Sequence, residues 1–94
     1  MLNERIKLLR VSHNLSQVEL AKKLNVSKQS VSNWENDNIL PSIEMLVEIS
    51  KLFSVSTDYL LGLDDRKFID VALLSEAEIA HIQFIIDDIV KNRK

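Results

Sequence analysis

In 94 residues the chain has one glycine, Gly62, and one proline, Pro41. Sheets and hairpins need such turn-forming residues far more often than short helix–helix links do. The scarcity therefore points to an all-α fold before any other pattern is read. Serines mark where the helices begin. Ser16 with Glu19, and Ser75 with Glu78, form S-x-x-E capping boxes, in which hydroxyl and carboxylate each take an N–H at the helix start. Ser27, Ser42 and Ser56 stand at three further starts.

Apolar periodicity fills in the elements. Leu2, Ile6, Leu9 and Val11 predict a first helix over about residues 2–12, broken at His13-Asn14. A second follows Ser16, with Val18, Leu20, Ala21 and Leu24 as its inner face. Asn25 sits where the chain must turn and tolerates a left-handed backbone. The third helix follows Ser27, and NDNILP is a loop because the residue before Pro41 is disfavoured in a helix. Ile43, Leu46, Val47, Ile49, Ser50 and Phe53 mark a fourth helix, and TDYLL a short fifth closed by Gly62. GLDDRKFIDVALL has no clear period and reads as a connection. The expected organisation is a domain over 1–62, a connection over 63–74 and a C-terminal segment over 75–94, helical from about Glu76 to Val90 or Lys91.

Charge divides the chain. Residues 1–35 carry six basic and three acidic side chains, residues 36–94 six basic and eleven acidic, so a net charge of −2 conceals a basic N-terminal part. A partner surface responds to that local sign more than to the total. Arg5, Lys7 and Lys28 are candidates for phosphate on local charge alone. The absence of cysteine removes disulfides and thiolate metal sites and agrees with a reducing compartment. No apolar run approaches the ~18 residues of a membrane span, and MLNERIKLLR has charges where a signal peptide needs an apolar core. A cytoplasmic, non-membrane protein is expected.

The most informative stretch is NVSKQSVSNWEN, residues 25–36. On a helix, Val31 and Trp34 share one side, while Lys28, Gln29, Ser32, Asn33 and Asn36 share another that carries no carboxylate. Held outward on a rigid support, Lys28, Gln29, Ser32 and Asn33 suit the major groove of duplex DNA. There Gln and Asn pair bidentately with adenine and Lys with guanine. Asn36 and Ser42, in the loop and at the next helix start, are candidates for phosphate, because helix N-termini attract anions.

SQVELAKKLNVSKQSVSNWEN followed by LPSIEMLVEISKLFSVSTDYLLG resembles the Cro/C1-type helix-turn-helix family of bacterial and phage repressors, over residues 2–62. Gln17, Ala21, Leu24, Val26, Val31, Trp34-Glu35, Pro41-Ser42 and Asp58-Tyr59-Leu60-Leu61-Gly62 carry the resemblance. Asn25 departs from it, standing where the family usually has glycine. The resemblance implies a five-helix, lambda-repressor-like domain whose third helix reads bases. It implies that Ser16-Gln17, at the start of the second helix, clamps a phosphate, and that Arg10 pairs structurally with Glu35.

Catalysis is not expected. His13 and His81 are far apart in sequence, Asp64-Asp65 and Asp87-Asp88 read as solvated pairs, and one glycine cannot make a phosphate-cradling loop. Neither a metal nor a cofactor is expected. SEAEIAHIQFIIDDIVKNRK places Ile79, Ile82, Ile86 and Ile89 in a 3-4-3 stripe, with Ile85 and Val90 beside it and Phe84 on a different side. A helix apolar on two sides must bury both. One side is expected to dock on the domain and the other on a second subunit. The sequence thus points to a homodimeric, sequence-specific regulator of a near-palindromic operator. The second reading is an antitoxin or interaction module that binds a protein through its acidic C-terminal segment.

Overall fold

The computed structural model describes residues 1–93; Lys94, the last residue of the 75–94 segment, lies outside them. Its elements are six helices: α1 Leu2–Ser12, α2 Gln17–Leu24, α3 Lys28–Glu35, α4 Ile43–Phe53, α5 Thr57–Leu60 and α6 Glu76–Lys91. There is no strand among the described residues. Five starts are set by serine: the hydroxyls of Ser16, Ser27, Ser42, Ser56 and Ser75 each accept from the backbone N–H three residues on. Both expected capping boxes form, with Ser16 N donating to Glu19 Oε1 at 2.9 Å and Ser75 N to Glu78 Oε1 at 2.8 Å.

The chain turns almost without glycine because Asn14, Asn25, Asp37 and Ser54 take left-handed backbones, with φ of 58°, 58°, 60° and 53°. After α2, Asn25 lets Val26 N donate back to Ala21 O at 2.9 Å; after α4, Ser54 lets Val55 N donate to Ser50 O at 3.0 Å. These bonds satisfy carbonyls that a helix end leaves open.

α1 to α5 enclose one core, built from Ile6 and Leu9 of α1, Leu20 and Ala21 of α2, Val31 and Trp34 of α3, Ile49 and Phe53 of α4, and Tyr59 and Leu60 of α5. α3 packs on both α2 and α1. Val18 is not part of the inner face of α2: it is exposed. Leu20, Ala21 and Leu24 define the packed side, and at ~100° per residue Val18 lies roughly 110° from its middle. Val11 likewise ends exposed, in the last turn of α1.

α6 differs from the other helices in burying none of its residues. Ile79 and Ile82 are half-buried; Phe84, Ile85, Ile86, Ile89 and Val90 are exposed. The expectation that one side docks on the domain is therefore corrected, because no residue of α6 is buried and its apolar side chains are half-buried or exposed.

Candidate nucleic-acid interface

The inward side of α3 fixes the direction of its outward side. Val31 is fully buried, and Trp34 and Glu35 are buried beside it. Glu35 is held by a fork: Arg10 Nε donates to Oε2 at 2.6 Å and Nη2 to Oε1 at 3.0 Å. The remaining nitrogen of Arg10 donates to Leu15 O at 2.9 Å, and Gln17 Nε2 donates to Glu35 Oε1 at 3.1 Å. A planar guanidinium matched to a carboxylate is the strongest geometry such a pair can take. The bond to Glu35 also holds the Arg10 pKa above its already high ordinary value. This network joins the end of α1, the start of α2 and the end of α3, as the resemblance implies for Arg10 and Glu35.

On the opposite side, Lys28 and Gln29 are exposed, and Ser32 and Asn33 half-buried. The four lie on one outward face of α3. Gln29 Nε2 donates to Asn33 Oδ1 at 3.0 Å, and Asn36 Nδ2 to Ser32 Oγ at 3.2 Å. These i, i+4 bonds cross-brace the face without exhausting it, since Gln29 keeps an acceptor oxygen and Asn33 both amide hydrogens. No acidic residue lies in the first turn of α3, so its positive dipole end is unopposed there.

The other candidates are Ser16 and Gln17 at the start of α2, Asn36 at the end of α3 and Ser42 at the start of α4. The Gln17–Glu35 bond brings the start of α2 to the end of α3. Ser16 and Ser42 are exposed and occupied as caps, accepting from Glu19 N at 3.0 Å and Met45 N at 3.1 Å. What these helix starts keep for an anion is the unpaired N–H groups of the first turn. The Gln17 amide is committed to Glu35, so its side chain also supports α3, a role that sequence reasoning did not give it.

Arg5 corrects the charge-based expectation. It does not face outward like Lys7 and Lys28. Instead, its guanidinium donates to the carbonyls of Tyr59 and Asp64 and to the Asp65 carboxylate. The partners lie 54 to 60 residues away in sequence, and no periodic or cap signal reports such a contact.

Among the described residues no group of three or more His, Cys, Asp or Glu is arranged to hold a metal ion, and no helix is long and apolar enough to cross a membrane.

Residues 6–60 match the helix-turn-helix family model. Over 64 residues the chain is 42% identical to the HTH-type transcriptional regulator ImmR of Bacillus subtilis, covering 68% of this chain and 50% of that protein. The chain thus spans about half the length of the curated relatives it matches. The c2 repressor of Salmonella phage P22, solved in complex with a synthetic operator, is 36% identical with a TM-score of 0.64, covering 68% of this chain and 97% of that one. A chain from the SinR protein/SinI protein complex is 26% identical with a TM-score of 0.62, and the likeness covers 99% of this chain and 100% of that one.

Proposed function

The chain belongs to the Cro/C1-type helix-turn-helix family of transcriptional regulators, and from that premise we propose that it is a sequence-specific, double-stranded-DNA-binding repressor acting as a homodimer. α3 enters the major groove, with Lys28, Gln29, Ser32 and Asn33 at base edges. Ser16, Gln17, Asn36 and Ser42 sit at the flanking phosphates, through first-turn N–H groups at the two helix starts and a side-chain amide at Asn36.

One observation carries this reading: an acid-free, hydrogen-bonding face stands directly opposite side chains locked into the core. Polar side chains that are merely solvated need no such support, whereas base readout needs donors held in place before the DNA arrives. Selection of bound sequences from a random duplex pool tests it. The parent should recover a near-palindrome, and Gln29→Ala or Asn33→Ala should relax preference at particular positions by ~1–3 kcal/mol per lost bidentate contact. A chain with all four face residues changed to alanine that recovers the same operator would overturn the assignment.

The homodimer follows from α6. Exposed isoleucines at Ile86 and Ile89, continuous with half-buried Ile79 and Ile82, make an apolar stripe unsatisfied within the chain. A two-fold contact along it carries two α3 helices to successive major grooves, about 34 Å apart. A second reading uses the same stripe differently. α6 then receives another protein, and the chain acts as an antitoxin or interaction module. This reading is supported by the origin of one whole-length relative in a two-protein complex; the antitoxin PezA of Streptococcus pneumoniae is 36% identical over 64 residues, which make up 68% of this chain and 40% of that protein. The DNA-binding regulator is preferred as the main reading because the repressor likeness extends to a structure on operator DNA.

A further inference from the structure

Arg5 leaves α1 and holds the beginning of the connection. Its Nη1 donates to the carbonyl oxygens of Tyr59 and Asp64, the latter at 3.1 Å, and its Nη2 donates to Asp65 Oδ1 at 2.6 Å. The guanidinium lies 4.2 Å from the centroid of the Tyr59 ring, and only 17% of the side chain is exposed. The contacts continue along the chain. Arg66 folds back on Asp64 at 3.2 Å and lies 5.5 Å from the Phe68 ring. The Lys67 ammonium lies 5.5 Å from the Tyr59 ring. Phe68 and Ile69 share a groove with Leu8, Leu52 and Val55. Residues 64–69 have no helix or strand, yet Arg5 ties Asp64 and Asp65 to α1, Lys67 reaches the Tyr59 ring of α5, and the exposed Phe68 and Ile69 line the groove beside Leu8 and Leu52.

We propose that Arg5 is a positioning residue for operator geometry: by clamping the connection to α1 and α5 it sets the half-site spacing that the protein accepts. This rests on the dimeric DNA-binding reading above. If residues 63–74 were a free tether, their twelve residues would have an r.m.s. span of roughly 20 Å. Adjacent base pairs are about 3.4 Å apart along the duplex. A free tether on each protomer would therefore let the two recognition helices accept half-sites displaced by several base pairs. A connection tied down at its first residues shortens the free stretch before α6 to residues 70–74, which narrows the directions that α6, and with it the two-fold axis, can take relative to α3. Arginine suits the clamp because its planar fork serves two carbonyls and a carboxylate while its face covers a ring, which a lysine ammonium cannot do.

The experiment measures affinity of the full chain for palindromes whose half-sites, taken from the random-pool selection, are moved apart in single base-pair steps. The parent should prefer one spacing by at least about tenfold over its neighbours, since only that one gains from intramolecular docking of the second domain. In Arg5→Met, which keeps an aliphatic stem over Tyr59 and loses every donor, the preference should fall below about threefold. Its affinity for a single half-site should stay within about twofold of the parent's, which separates this effect from damage to the domain. A double variant, Phe68→Ser with Ile69→Ser, changes only exposed residues and should flatten the preference in the same way; it decides alone if Arg5→Met does not fold. A folded variant that keeps the parent's sharp optimum overturns the inference and leaves the dimer reading intact. A parent that treats all spacings alike overturns both.

Discussion

α3 and α6 start the same way and end in opposite situations. Each has a serine N-cap, and each presents an uninterrupted outward face. α3 has only eight residues, too few for a stable isolated helix in water, and three of them are buried in contacts with α1 and α2. α6 has sixteen residues and a complete capping box but buries nothing. Capping and periodicity decide where a helix forms, while packing decides what its faces are for. On α3 the apolar side is satisfied within the chain, which frees the polar side to read a ligand. On α6 the apolar side is not buried within the chain, which is why the proposed homodimer uses it.

The largest effect should come from breaking the support of α3. Glu35 is 2% exposed in its side chain and Arg10 12%. Arg10→Ala leaves a buried carboxylate with only the Gln17 amide and should cost roughly 3–5 kcal/mol in a urea or thermal melt. Glu35→Ala should cost less, because the longer arginine can turn toward water. The double variant should be more stable than Arg10→Ala, and simple additivity would show that the two residues do not interact.

The same comparison predicts the opposite pattern on α6. Ile82→Glu or Ile86→Glu should leave the melting temperature of the α1–α5 domain nearly unchanged, since α6 contributes nothing to its core. Operator affinity should nevertheless fall by about 100-fold or more, the usual loss when a linked second site is removed. An equal loss of non-specific binding would show instead that α6 supports the domain.

Smaller effects sharpen the local half of the comparison. Ser54 holds φ 53° at the end of α4, where a side chain is strained and glycine is not. Ser54→Gly should therefore stabilise by roughly 0.5–1 kcal/mol, read as a rise in melting temperature. The smallest effect is the pH response of the capping boxes. Hydrogen bonds from Ser75 hold the Glu78 pKa below the ordinary glutamate value, and those from Ser16 do the same for Glu19. Stability from a depressed carboxyl pKa is present above the unfolded value and is lost as pH falls through the folded one. Acid titration followed by α-helix signal should thus show Glu78→Gln less sensitive than the parent below the ordinary glutamate range, at about pH 4.3.

What was legible in the sequence was what is local. Ser16, Ser27, Ser42, Ser56 and Ser75 announce their helices because a cap acts within three residues of itself, and Val31 and Trp34 announce the buried side of α3 by their spacing. The Arg10–Glu35 pair spans 25 residues and was foreseen only through family resemblance. Val18 was misplaced because an apolar residue at the margin of a short helix satisfies the pattern without reaching the core. Arg5 was misjudged because a count of local charge treats every arginine as outward, although its acceptors lie across the fold. For α6, an apolar surface on two sides says that burial is needed but does not say by what.

The most direct test of that last point is the stoichiometry on DNA. Sedimentation of the parent with a selected near-palindromic duplex should give two chains per duplex, with the free protein dimeric at tens of micromolar and Ile82→Glu monomeric under the same conditions. A parent that is monomeric at that concentration and fills the two half-sites independently would contradict the account, leaving the α6 stripe to a different protein.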